Sequence, residues 1–240
     1  MSGLINKISN CRYYKKLFYN NSEKIDNLYS LLYDQESKRV VNGIFRAYKS
    51  IFRKNTYYFK KICCSDCLNY HFTTKDNYKV KGTKNPYFIN DIFKIDSNIV
   101  LMDGGGYVGD TVELLLNVLK KPCKHIYTFE PSKHNYRILK NRLNKFSSFI
   151  DCYNLGLSDT SGKVCFLNDG AGSRISEFGD SLIDVIDAGE FLSGLKENFP
   201  TFIKLDVEGH EKCILKAMST YIINNKPNLA VSIYHSLEDL

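Results

Sequence analysis

Four glycines fall within six residues, Gly104, Gly105, Gly106 and Gly109, at the point where a short apolar run gives way to a helical pattern. Ile99 to Met102 is apolar and β-favouring, as a buried strand should be. From Thr111 to Leu119 the apolar residues recur at helical spacing. A strand that enters a helix through Asp103 and such a turn needs backbone freedom and close approach, which a Cβ would deny. This one stretch restricts the chain to folds that place a ligand at a strand's carboxyl end.

The rest of the C-terminal part repeats the alternation. A second strand is expected over His125 to Phe129, with a helix over 132–145. A third strand is expected over Phe149 to Leu157, and a short additional one over Lys163 to Phe166. A fourth is expected over Thr201 to Leu205, with a helix over 211–217, and a fifth over Leu229 to Tyr234. Strands alternating with helices predict an α/β fold, a mostly parallel Rossmann-like sheet with right-handed crossovers. In such sheets ligands sit at the carboxyl ends of the strands, near the switch in strand order.

Residues 1–85 differ in texture. They are rich in Tyr, Lys and Asn, and Ile25, Leu28, Tyr29, Leu32 and Tyr33 keep helical spacing. We expect a helical N-terminal region over 1–85 and a ligand-binding domain over 86–240, with Gly82, Asn85 and Pro86 breaking the pattern between them.

Gly104, Gly106 and Gly109 match the dinucleotide loop G-x-G-x-x-G, but that match alone is weak. The acids discriminate further. Asp103 directly before the glycines disfavours a pyrophosphate and suits a ligand with a cationic end. Glu130, closing the second strand in Tyr127-Thr128-Phe129-Glu130-Pro131, can accept the protons of two ribose hydroxyls. Acids after both strands favour an adenosyl ligand with free ribose hydroxyls and a positive end, such as S-adenosylmethionine. The bland alternative is an ordinary turn with helix-capping acids.

A second constellation follows the fourth strand. Lys204, Asp206, Glu208, His210 and Glu211 crowd one short segment. Glu208 and Glu211 also suit a helix N-terminus, whereas Asp206 ends an apolar strand at the ligand crevice. Asp206, Lys204, Glu208 and His210 are therefore the candidates for holding an acceptor and moving its proton. His235, after the fifth strand, is a further acid/base candidate. A divalent ion on Asp206 and Glu208 is open but not expected, and no metal site is assigned. Cys63, Cys64 and Cys67 with His71 resemble a zinc knuckle only loosely, since adjacent cysteines strain one tetrahedron.

The formal charge is +7, with much of the excess before residue 85. That balance suits an anionic partner and equally a solvated basic face. No apolar run is long enough to span a membrane. The N-terminus has no signal-peptide pattern, and the eight cysteines keep no disulfide rhythm, so a cytoplasmic location is expected.

The blocks VLMDGGGYVGDT, YTFEPSKHNYRILKNRL, NLGLSDTSGKVCF, PTFIKLDVEGHEKCILKAM and NKPNLAVSIYH together resemble the FkbM family of S-adenosylmethionine-dependent methyltransferases. The resemblance runs from about Tyr87 onward. It implies a class I methyltransferase fold and methylation of a hydroxyl on a sugar, glycan precursor or small natural product. Carried over by motif, it implies cofactor contacts at Asp103, Gly105, Gly109 and Glu130, and an adenine-side contact at Asp159. Gly104, Gly106, Tyr107, Thr111, Pro131, Ser158 and Asp206 complete the expected cofactor set. Tyr107 stands where the family often has Asn. The sheet of this fold normally continues for two strands after the fifth, which these residues do not supply. An open fifth strand would be an exposed edge, leaving room for a homo-oligomer.

Two alternatives stay open. One is a truncated homologue that binds the cofactor without turnover. The other is a nucleic-acid methyltransferase using the basic N-terminal region. The latter is disfavoured because Asp206-Val207-Glu208-Gly209 stands where amino-group methylation would need an Asn-Pro-Pro-aromatic motif, and those acids repel phosphates. A small-molecule or saccharide acceptor is expected, and no nucleic-acid partner.

Overall fold

The computed structural model describes residues 87–89, 92–167 and 173–232, together with positions 27, 30–32, 35, 37 and 38. The chain divides into two compact units, Met1–Pro86 and Tyr87–Leu240. In the first unit, positions 27, 30, 31, 35, 37 and 38 are helical. The cluster at Cys63, Cys64, Cys67 and His71 lies outside the described residues, as does His235.

The second unit opens with β1 (Val100–Gly104), α1 (Asp110–Leu119), β2 (His125–Phe129) and α2 (Lys133–Leu143). A one-turn 3-10 segment leads to β3 (Ile150–Tyr153), followed by β4 (Gly156–Ser158), β5 (Gly162–Leu167), β6 (Arg174–Ile175) and β7 (Ser181–Asp187). It closes with α3 (Ala188–Gly194), β8 (Phe202–Leu205), α4 (Glu211–Ala217), α5 (Ser219–Asn225) and β9 (Asn228–Val231). A five-stranded parallel sheet has the order β3-β2-β1-β8-β9. A second, mixed sheet has the order β4-β7-β5-β6.

The central strand β1 is buried along its whole length because both faces of its sheet are covered. Leu101 packs with Val112 and Leu115 of α1 and with Leu139 and Leu143 of α2. Val100 and Met102, of opposite parity, pack with Ala188 and Leu192 of α3 and Ile214 and Met218 around α4. Double-sided burial is why β1 reads as an uninterrupted apolar run instead of an alternating one. Strand order changes direction at β1, where the chain leaves toward β2 on one side and β8 lies on the other, so a crevice opens above β1.

One expected strand is two. Phe149 to Leu157 breaks after Tyr153, with β3 in the central sheet and β4 in the second. Asn154 holds the corner, its Nδ2 donating to the carbonyls of Glu130 at 2.9 Å and Pro131 at 3.0 Å. The strand β7 and helix α3 are not among the expected elements. Their signal is an alternation, with Ile183 and Val185 buried and Leu182 and Asp184 exposed. Asp187 then caps α3 by accepting from the backbone N–H groups of Gly189 at 2.7 Å and Glu190 at 2.9 Å.

Candidate active site

Beneath the glycine turn runs a polar row across three strands. Thr128 of β2, Asp103 of β1 and Lys204 of β8 stand in register. Thr128 Oγ1 donates to Asp103 Oδ2 at 3.1 Å, and Lys204 Nζ lies 3.1 Å from Asp103 Oδ1. The latter approach has ion-pair distance without hydrogen-bond alignment. Asp103 is fully buried, and burial pushes its carboxyl above the usual range against the opposing pull of Lys204. The Lys204 ammonium also donates to the carbonyls of Gly104 at 3.1 Å and Gly105 at 2.7 Å. Lys204 thus braces the turn from below; it is absent from the cleft lining.

The turn needs its glycines for two reasons. Gly105 and Gly109 have φ of 78° and 86°, the left-handed region. At Gly105 a Cβ would collide with the carbonyl oxygen of Asp206, and at Gly106 with Thr128 Oγ1. At Gly109 a Cβ would meet Leu143 of α2 at 3.3 Å. Tyr107 also adopts a positive φ, 46°, and its N–H donates to Glu130 Oε2 at 2.9 Å.

Glu130 follows β2 and is 5% exposed. Its other oxygen accepts from the Ser132 N–H at 2.8 Å. Burial raises this carboxyl from 4.5 to about 7, against the opposing effect of its backbone donors.

A cleft opens above these strand ends. Its lining includes Gly105, Tyr107, Glu130, Pro131, Asp206 and Glu208. His210 borders it too. Desolvation lowers the His210 pKa, so its imidazole is neutral near pH 7. Ser158 Oγ lies 3.2 Å from His210 Nε2 and donates to Asp159 Oδ1 at 3.3 Å. Asp159, His210 and Cys213 offer three metal-type donor atoms within 4.8 Å of one another.

The structure therefore gathers Gly105, Tyr107, Glu130, Pro131, Asp206, Glu208 and His210 around one crevice, whereas Asp103 is fully buried beneath the turn and, like Lys204, is absent from the cleft lining. Gly104 and Thr111 are packed into the fold, Ser158 is buried behind His210, and Asp159 is exposed. Glu211, buried on α4, accepts from the N–H groups of Val207 at 2.9 Å and Gly209 at 3.0 Å, holding the loop that carries Glu208. Sequence reasoning missed three residues. Asn135 and Arg174 line the cleft, and Tyr87 hydrogen-bonds Asp206. Asn135 is signalled by its place in the first turn of α2, shortly after Glu130; the other two have no local signature.

The donor set also discriminates among ligands. Three carboxylates, Glu130, Asp206 and Glu208, line the cleft against one guanidinium, Arg174. That arrangement repels a pyrophosphate and accommodates ribose hydroxyls and a cationic end.

The profile of the methyltransferase FkbM domain matches residues 103–239, more than half of the chain. A crystal structure of methyltransferase FkbM from Methylobacillus flagellatus superposes with a TM-score of 0.64 at 21% identity, covering 92% of this chain and 50% of that one. The hexuronic acid methyltransferase AglP of Haloferax volcanii is 26% identical over 99 residues, 40% of this chain and 41% of that protein. The chain thus spans half or less of the length of these relatives. The chain belongs to the FkbM methyltransferase family.

Proposed function

We propose, from that membership, that this methyltransferase uses S-adenosylmethionine and methylates a hydroxyl of a saccharide, with acidic sugars as the acceptor class. The observation that supports the cofactor reading is Glu130, at the end of β2, lining an acid-rich cleft beside Gly105 of the glycine turn, with Asp103 buried beneath that turn. Glu130 is the residue that would hold the ribose hydroxyls. Its carboxylate is already anchored by two backbone donors, so it needs no reorganisation to accept them. Asp103 and Lys204 stabilise the turn against which the amino-acid end would rest.

When bound, S-adenosylmethionine supplies a methyl group made electrophilic by its sulfonium. The protein's part is to place the acceptor oxygen and receive its proton. Asp206 and His210 both border the cleft, and both can accept a proton at neutral pH, His210 because desolvation keeps it neutral. Glu208 projects from a loop held by Glu211 and fits a role in binding sugar hydroxyls. Arg174 supports an acidic acceptor, since a guanidinium takes a carboxylate in two parallel hydrogen bonds. The name of the Haloferax relative points to the same acceptor class.

The test is twofold. Calorimetry should show S-adenosylmethionine and S-adenosylhomocysteine binding that Glu130→Ala abolishes. Labelled S-adenosylmethionine should then transfer methyl to a glucuronide and leave a plain glucoside less modified. A folded chain that binds neither cofactor form would refute the reading.

A further inference from the structure

We infer that Tyr87 is a positioning residue of this site, holding the Asp206 carboxylate in its working orientation. Its hydroxyl donates to Asp206 Oδ2 at 2.7 Å, across 119 residues of sequence. A phenol donating to a carboxylate at that distance is a charge-assisted bond, stronger than a neutral pair.

The anchoring of both partners supports this assignment. Phe88, next to Tyr87, is 1% exposed and packs on Phe202 of β8 with ring centroids 5.3 Å apart. Phe93 meets Phe202 edge-on at 5.0 Å. The segment that carries Tyr87 is therefore pinned to the root of the strand whose far end carries Asp206. The Tyr87 ring lies 5.5 Å from Lys204 Nζ, over the buried ion pair. Asp206 is fixed through its main chain, since its N–H donates to the Gly104 carbonyl at 3.1 Å. The Tyr87 bond adds a side-chain tie at Oδ2, and it favours the ionised carboxylate.

This inference rests on the reading of the cleft as the methyl-transfer site, but its test is independent of any acceptor. The full chain is labelled at the aspartate carboxyl carbon, and the Asp206 signal is assigned with Asp206→Asn. Its titration is then followed by NMR in the wild type and in Tyr87→Phe, which keeps the ring over Lys204. Loss of the hydroxyl should raise the Asp206 midpoint by about one pH unit, the equivalent of one hydrogen bond to a charged group. Packing alone would not move it. An unchanged midpoint would overturn the assignment. So would a Tyr87→Phe chain that fails to fold, which would make the hydroxyl a folding determinant. Failure of the wild type to bind S-adenosylhomocysteine would instead count against the cofactor reading and leave the titration result standing.

Discussion

Asp103 and Lys204 face each other in register across β1 and β8, 3.1 Å apart, in a setting where one is fully buried and the other 2% exposed. Two charges so deep are retained at a desolvation cost that their attraction only partly offsets. What the pair adds is placement: the same ammonium ties down two carbonyls of the glycine turn. Lys204→Met leaves a buried carboxylate without its cation. It should cost about 3 kcal/mol or more in urea unfolding. Adding Asp103→Asn should recover a large part of that loss, because no unpaired charge then remains. Equal losses in the single and double variants would show that the pair is not coupled.

Glu130 gives the site a pH dependence of definite sign. Its carboxyl titrates at about 7 in the folded chain, against an ordinary 4.5. Between those values the folded chain holds a proton that the unfolded chain has released. The stability due to Glu130 therefore falls as pH rises through that window, by on the order of 3 kcal/mol in total. A ligand that needs the carboxylate behaves oppositely. S-adenosylhomocysteine affinity should drop about tenfold for each pH unit below 7. Glu130→Gln should bind weakly at all pH values and lose that slope. Calorimetric titrations at pH 5.5, 6.5 and 7.5, values spanning roughly the shifted range, would check both.

The glycine turn predicts a sharp contrast between two alanine substitutions. Gly105 has a left-handed φ, and its Cβ would strike the Asp206 carbonyl, so no rotamer relieves the clash. Gly105→Ala should cost about 2 kcal/mol or more and abolish cofactor binding. Gly194, at the end of α3, has open space where a Cβ would stand, with nothing within 4 Å. Gly194→Ala should be neutral or stabilise by about 0.5 kcal/mol. Chemical unfolding of both variants beside the wild type decides it.

The parallel core was legible in the sequence because strands buried on both faces announce themselves as apolar runs ending in turns. The glycine turn was legible for the same physical reason that it is needed: only glycine fits. Of the second sheet, β5 matches the expected strand over Lys163 to Phe166, but β7 and β4 were not legible. Strand β7 alternates and is half exposed, and its partner β4 is three residues cut from an apparently continuous run at Asn154. Lys204 illustrates a different limit. It was grouped with the acceptor-holding candidates, but its side chain pairs instead with the buried Asp103 of the neighbouring strand. Tyr87 lies 119 residues from the carboxylate it binds, and no local pattern reports a contact of that span.

Arg174 is the only Lys or Arg among the described residues lining the cleft, and it arrives from the edge strand β6 of the second sheet. An acid-lined cleft would otherwise repel an anionic acceptor. One bidentate guanidinium can reverse that for a substrate whose carboxylate reaches it. Transfer to p-nitrophenyl glucuronide should therefore exceed transfer to the matching glucoside. Arg174→Ala should lower kcat/KM for the glucuronide by about 10- to 100-fold, the worth of one charge-assisted contact, and leave the glucoside rate nearly unchanged. Arg174→Lys should retain only part of the preference, since a point charge cannot form the paired bonds. S-adenosylhomocysteine affinity should be the same in all three chains, which separates acceptor recognition from damage to the cofactor site. A preference for glucuronide that survives Arg174→Ala would assign carboxylate recognition elsewhere in the protein.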